Sequence, residues 1–109
     1  MAIGTAIVRV PKEAQKGQII RVQMVITHPM KPARRNPQTG QEEEPAHTLT
    51  KLVLFYNDKV VSEMNMAAGI SANPFIALPL KVEESGVIKI AYEDNRGGKW
   101  EKTAEITVK

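Results

Sequence analysis

The sequence predicts an all-β chain, an immunoglobulin-like antiparallel β-sandwich of about seven strands, in one domain spanning residues 1–109. Three observations carry this reading. Apolar residues recur every second position in several short runs, turn residues return at intervals of about 8–12 positions, and no segment has the 3.6-residue period of an amphipathic helix. A five-stranded OB-like barrel is the second choice.

Taken in order, Ala6, Val8 and Val10 share one face of the first run. Ile20, Val22, Met24 and Ile26 share one face of the second, away from Arg21 and Gln23. Both read as half-buried strands. The polar link at 11–17 runs from Pro11 to Gly17, residues poorly suited to continue a strand, and reads as a surface loop. Between His28 and His47, Pro29, Pro32, Pro37, Gly40 and Pro45 fall too close together for a helix or central strand. This stretch is a long surface loop or a ragged hairpin. Loops of that length are usually functional or mobile, which makes it the first place to look for an interaction site.

Leu52, Leu54 and Tyr56 occupy one face of the next run and Val53 and Phe55 the other, as in a centrally placed strand. Asn57-Asp58 turns the chain into residues 60–66, where Val60, Ser62, Met64 and Met66 are expected on one face. Residues 67–74 include small residues and Gly69 and end in Asn73-Pro74, which reads as a corner. Residues 75–82 resume alternation through Ile76, Leu78, Leu80 and Val82, with Pro79 demanding an edge position. The last pair of strands sends Ile88, Ile90 and Tyr92 inward, turns at residues 94–98, and returns through Trp100, Ala104, Ile106 and Val108. The first strand and the proline-bearing strand are the expected edges, and an uncovered edge invites a partner strand.

Composition narrows the function. With 42% hydrophobic residues among 109, the chain can build a core without a metal or disulfide staple. The absence of cysteine removes disulfide, zinc-thiolate, iron–sulfur and thiol-nucleophile chemistry, and leaves the compartment open. A net charge of +3 steers weakly. No apolar run approaches the ~20 residues of a membrane span, and residues 1–10 lack the layout of a signal peptide. The expectation is a chain with no membrane contact and no export signal of its own.

Catalytic patterns are missing. No serine sits in a nucleophile elbow, Ser71 has no base near it in sequence, and the two histidines stand in His28-Pro29-Met30 and Ala46-His47-Thr48. The carboxylate pairs and runs at Glu42-Glu43-Glu44, Glu83-Glu84 and Glu93-Asp94 read as solvated, unshifted groups. His28 and His47 flank the long loop and meet if it folds as a hairpin, but two imidazoles make at most half a metal site. Met64-Asn65-Met66 has the spacing of a Cu(I) thioether site, with Met24 and Met30 as further donors, although methionines sharing a strand face are ordinarily core. A single-strand nucleic-acid domain is another alternative. Against it, Phe55, Phe75, Tyr92 and Trp100 read as at least partly interior, and Lys31, Arg34 and Arg35 are balanced by Glu42, Glu43 and Glu44 in the same loop. The glycines in the 94–98 turn would allow an anion nest, for which a plain hairpin is the better account. These residues point to a β-module without an active site or cofactor of its own.

Several pieces agree in order and spacing with one family. Ile26-Thr27-His28-Pro29-Met30 leads into a Lys/Arg-bearing loop that closes through Pro45-Ala46-His47. Lys51, Tyr56 and Asn57 follow, then Ile70-Ser71-Ala72-Asn73-Pro74-Phe75, then Asp94, Asn95 and Gly97 ahead of residues 103–108. Along essentially its whole length the chain resembles the Z subunits of the SoxYZ sulfur carriers. That resemblance implies an immunoglobulin-like sandwich paired with a second one, the Y subunit, whose C-terminal Gly-Gly-Cys-Gly-Gly arm carries sulfur intermediates in thiosulfate oxidation. It also implies a periplasmic protein exported with its partner, transient docking to the pathway enzymes, and no catalysis by this chain. An isolated subunit would tend to form homodimers through the vacant face. For a partner-facing surface the expectation falls on His28, Pro29, Met30, Arg34 and Arg35. Asn73 and Phe75 are added with a competing role as a structural corner, Phe75 being its core plug.

Overall fold

Period-two alternation obliges each strand to present one face to the core, and in the computed structural model two sheets do so against each other. The structure describes residues 3–31, 34–66 and 72–109, without the side chains of 42–44. Among the described residues ten strands follow in order: β1 (Ala6–Arg9), β2 (Glu13–Ala14), β3 (Ile19–Ile26), β4 (Arg34–Arg35), β5 (Glu42–Glu44), β6 (Leu49–Tyr56), β7 (Lys59–Asn65), β8 (Phe75–Lys81), β9 (Gly86–Asp94) and β10 (Lys99–Val108). One sheet has the order β1-β3-β8, the other β2-β10-β9-β6-β7, and β4-β5 form a separate hairpin. The seven expected strands are β1, β3 and β6 to β10; the other three are short.

Between the sheets, Ile20, Val22, Met24 and Ile26 of β3 and Leu80 of β8 join one core with Leu52, Leu54, Ile88, Ile90, Tyr92 and Ile106. β1 and β8 are the sheet edges, as expected, so Pro79 removes no hydrogen bond from a central strand. Asn57 and Asp58 both have positive φ, 49° and 67°, the backbone of a type I′ turn.

Four expectations need correction. The 11–17 link is not wholly loop: Glu13 and Ala14 pair with Thr107 and Val108. That pairing is parallel, so the sandwich is not entirely antiparallel. Buried Ala14 anchors it at the sheet edge. In β7 a register shift sets Val60 opposite Phe55 instead of on the Ser62–Met64 face, leaving it 58% exposed. Phe75 is no core plug: it lies opposite Val25, on the outward side of β8, and is 64% exposed.

The long loop is a hairpin. Lys31 and His47 bridge across its base, and the register sets Arg34 opposite Glu44 and Arg35 opposite Glu42. Of the 67–74 corner, residues 67–71 lie outside the described residues. Asn73, at φ 51°, and buried Pro74 form its end.

Candidate functional site

His28 follows Ile26 by two residues and is fully buried, at 0% exposure. Asp94, two residues beyond Tyr92, is also buried. The loop base brings His47 to both, with the two imidazole centroids 4.6 Å apart. Nε2 of His28 lies 3.1 Å and Nε2 of His47 2.9 Å from Asp94 Oδ2. The other carboxylate oxygen, Oδ1, accepts the backbone N–H groups of Arg96 at 3.0 Å and Gly98 at 2.7 Å. The 94–98 segment is the hairpin turn expected between β9 and β10, and the two amides it turns inward are taken by the chain's own carboxylate.

This overturns the reading of Glu93-Asp94 as a solvated pair. Burial alone would raise the Asp94 pKa, but hydrogen bonds from His28, the Gly98 amide, His47 and the Arg96 amide outweigh it and hold the group at about 2. Side chains of the same turn fasten the loop base. Asn95 accepts the Thr48 N–H at 2.9 Å and donates to the Ala46 carbonyl at 2.8 Å, while Arg96 donates to the Pro45 carbonyl at 2.9 Å. On the other side, Asn73 Oδ1 accepts the His28 N–H at 3.1 Å.

The donor set resembles a metal site: one ligand atom each from His28, His47 and Asp94 lie within 4.8 Å of one another. The residues do not fit that role. The Met30 N–H donates to His28 Nδ1 at 3.2 Å, so the neutral ring carries its proton on Nε2 and gives it to Asp94. To ligate through Nε2, the nitrogen that faces Asp94, His28 would need the reverse, a bare Nε2 and a second-shell acceptor at Nδ1. With both nitrogens engaged, His28 is equally unavailable as a general base. The cluster works as a latch between the long loop and the β9–β10 turn.

The expected partner-facing residues therefore divide. His28 is buried in the latch, and Met30 is buried with its sulfur accepting the Leu49 N–H at 3.2 Å, so neither can face a partner. Pro29 is half-buried, while Arg34, Arg35, Asn73 and Phe75 are exposed. Met66 is core and Met64 packs against it, which accounts for both thioethers. Tyr92 and Trp100 stack with centroids 5.7 Å apart.

A second feature lies on the outer face of the β1-β3-β8 sheet. The register aligns Ile7, Val25 and Phe75 in one row across all three strands. Ile7 is 49% and Phe75 64% exposed, with Gln23 and Arg9 beside them in a shallow cleft. Sequence alternation held the signal for this row, since Phe75 adjoins inward-facing Ile76.

A family model for sulphur oxidation protein SoxZ matches residues 8–105. The chain belongs to the SoxZ family. No curated protein sequence matches it. Among solved structures this SoxZ-family chain is similar to the sulfur carrier protein SoxY from Chlorobium limicola f thiosulfatophilum, with TM-score 0.66, 12% identity, and 95% of this chain and 78% of that one covered. It is also similar to a superoxide reductase (neelaredoxin) from Ignicoccus hospitalis, at TM-score 0.70, 20% identity and coverage of 96% and 80%. A superoxide reductase from Nanoarchaeum equitans gives TM-score 0.66, 14% identity and coverage of 94% and 92%. At these identities the likenesses establish the shared fold.

Proposed function

We propose that this SoxZ-family chain is a non-catalytic subunit of a sulfur carrier in thiosulfate oxidation. It pairs with a SoxY-type subunit through the outer face of the β1-β3-β8 sheet and leaves the partner's cysteine arm free to visit successive enzymes. The observation that carries the reading is the family match across residues 8–105. Two features support the details. The chain contains no cysteine, so a carried sulfur intermediate needs another chain to hold it. The aligned Ile7, Val25 and Phe75 row is an apolar surface on the outside of a sheet, the kind that marks a protein contact. On this reading the pair works in the periplasm, this subunit being carried there with its partner.

Co-expression with a SoxY-type subunit, followed by size exclusion with mass detection, tests it. A one-to-one complex is expected, and Phe75→Ala weakens it while the isolated variant melts as the parent does. Two folded chains that elute separately would refute the pairing.

A further inference from the structure

Above the latch the surface opens into a cleft of about 360 Å³, lined by Ile3, Thr27, Pro29, Lys31, Asn73 and Arg96 together with the two histidines. Its chemistry is one-sided. Asp94, the acid beneath it, has both oxygens occupied by four donors and offers nothing further to a cation. Among its lining residues, Lys31, Asn73 and Arg96 carry donor side chains, an ammonium, an amide and a guanidinium. The Asn73 and Arg96 side chains are held by other bonds, and Lys31 is held through its backbone. The Lys31 backbone exchanges two hydrogen bonds of 2.8 Å with His47. Asn73 spends its Oδ1 on the His28 N–H, which leaves its NH2 group as donor. Arg96 rests on the Pro45 and Ala46 carbonyls through two of its five N–H groups.

We propose that this cleft binds a small divalent oxyanion of the sulfate and thiosulfate type. Lys31 and Arg96 match its two charges, and the Asn73 amide and Thr27 hydroxyl supply neutral donors. Fixing Asn73 and Arg96 in advance lowers the ordering cost of binding. The choice of thiosulfate as the leading ligand rests on the sulfur-oxidation reading; the preference for an oxyanion over a cation does not.

The test is a titration of the full chain with sodium thiosulfate, sodium sulfate or sodium chloride at one fixed ionic strength, read by backbone amide NMR. Saturable shifts at Thr27, Lys31, His47, Asn73 and Arg96 are expected with the two divalent anions and not with chloride. Lys31→Gln and Asn73→Asp are each expected to weaken binding about tenfold, the loss of roughly one charge-assisted hydrogen bond. Asn73→Asp keeps an oxygen for the His28 N–H, and a melting curve verifies its fold. Shifts equal to those with chloride, or undiminished affinity in both variants, would overturn the site. If the anion fails to bind while the chain still co-elutes with a SoxY-type subunit, the cleft assignment alone is wrong. Anion binding with no co-elution would refute the pairing alone.

Discussion

The loop latch and the outer face of the β1-β3-β8 sheet invert the usual arrangement in opposite ways. At the latch, polar and ionised groups are inside; on the sheet, Ile7 and Phe75 are outside. The informative difference is satisfaction. Asp94 has four hydrogen bonds, and among the described residues no buried side-chain nitrogen or oxygen lacks a partner. Such a cluster is complete within the chain and contributes to structure. The apolar row is in the reverse condition, losing its hydrophobic stabilisation to water until something covers it. The outer face of the other sheet is mixed. There Lys51 pairs with Glu63 at 3.0 Å and Lys89 sits 4.6 Å from the Phe55 ring centroid, while Val60 and Val87 are 58% and 41% exposed on the same side.

The largest effect is expected at the latch. Asp94→Asn puts an NH2 group or a weaker carbonyl against two imidazole N–H donors, and should cost about 3 kcal/mol in urea unfolding at neutral pH. A loss below about 1 kcal/mol would mean that the latch is incidental to the fold. The same carboxylate sets an acid limit. Its pKa is lowered from 3.8 to about 2, so its contribution is fully present above pH 3.8 and fades as pH falls towards 2. Parent and Asp94→Asn stabilities should therefore converge over that interval, and parallel curves would remove Asp94 as the cause.

A smaller but comparable loss is expected from Gly4→Ala at the same end of the molecule. Gly4 has φ 92°, and an added Cβ would lie 2.1 Å from Trp100 Cε2. Its carbonyl also accepts the Tyr92 hydroxyl, and burial raises the pKa of that phenol. Displacing the indole should destabilise the chain by about 1–3 kcal/mol and blue-shift or red-shift the Trp100 fluorescence. An unchanged melting curve and spectrum would show that the N-terminal segment is not fastened there.

Much of this was legible in the sequence, because alternation fixes sides. Ile20, Val22, Met24 and Ile26 point inward, so His28, next in the series, does too; Asp94 continues Ile88, Ile90 and Tyr92 in the same way. Judging Glu93-Asp94 by its polar neighbours obscured that parity. Phe75 was lost to the opposite error, its size suggesting core while its odd position beside Ile76 set it outside. The β7 register shift and the parallel β2 pairing were not legible. The β2 pairing joins segments at opposite ends of the chain, which local pattern does not encode, and the β7 shift is a bulge inside the β6–β7 hairpin, where one extra residue changes face without a glycine to mark it.

At the sheet face, the effects should move from stability to association. Phe75→Ala is expected to leave the isolated chain within about 0.5 kcal/mol of the parent and to weaken SoxY-type pairing by about 2 kcal/mol, or roughly thirtyfold, as a truncated aromatic anchor does. A large stability loss with unchanged pairing would return Phe75 to a structural role. The smallest effect is reserved for Ile19, which is 68% exposed and pairs with Lys81 at the far end of the same sheet. Exposure alone would make it as strong a contact candidate as Phe75, but it stands apart from the aligned row. Ile19→Thr should therefore change neither stability nor pairing beyond about 0.5 kcal/mol. Pairing weakened as much as by Phe75→Ala would instead extend the interface along the full length of β3, making the contact surface the whole sheet rather than one row across it.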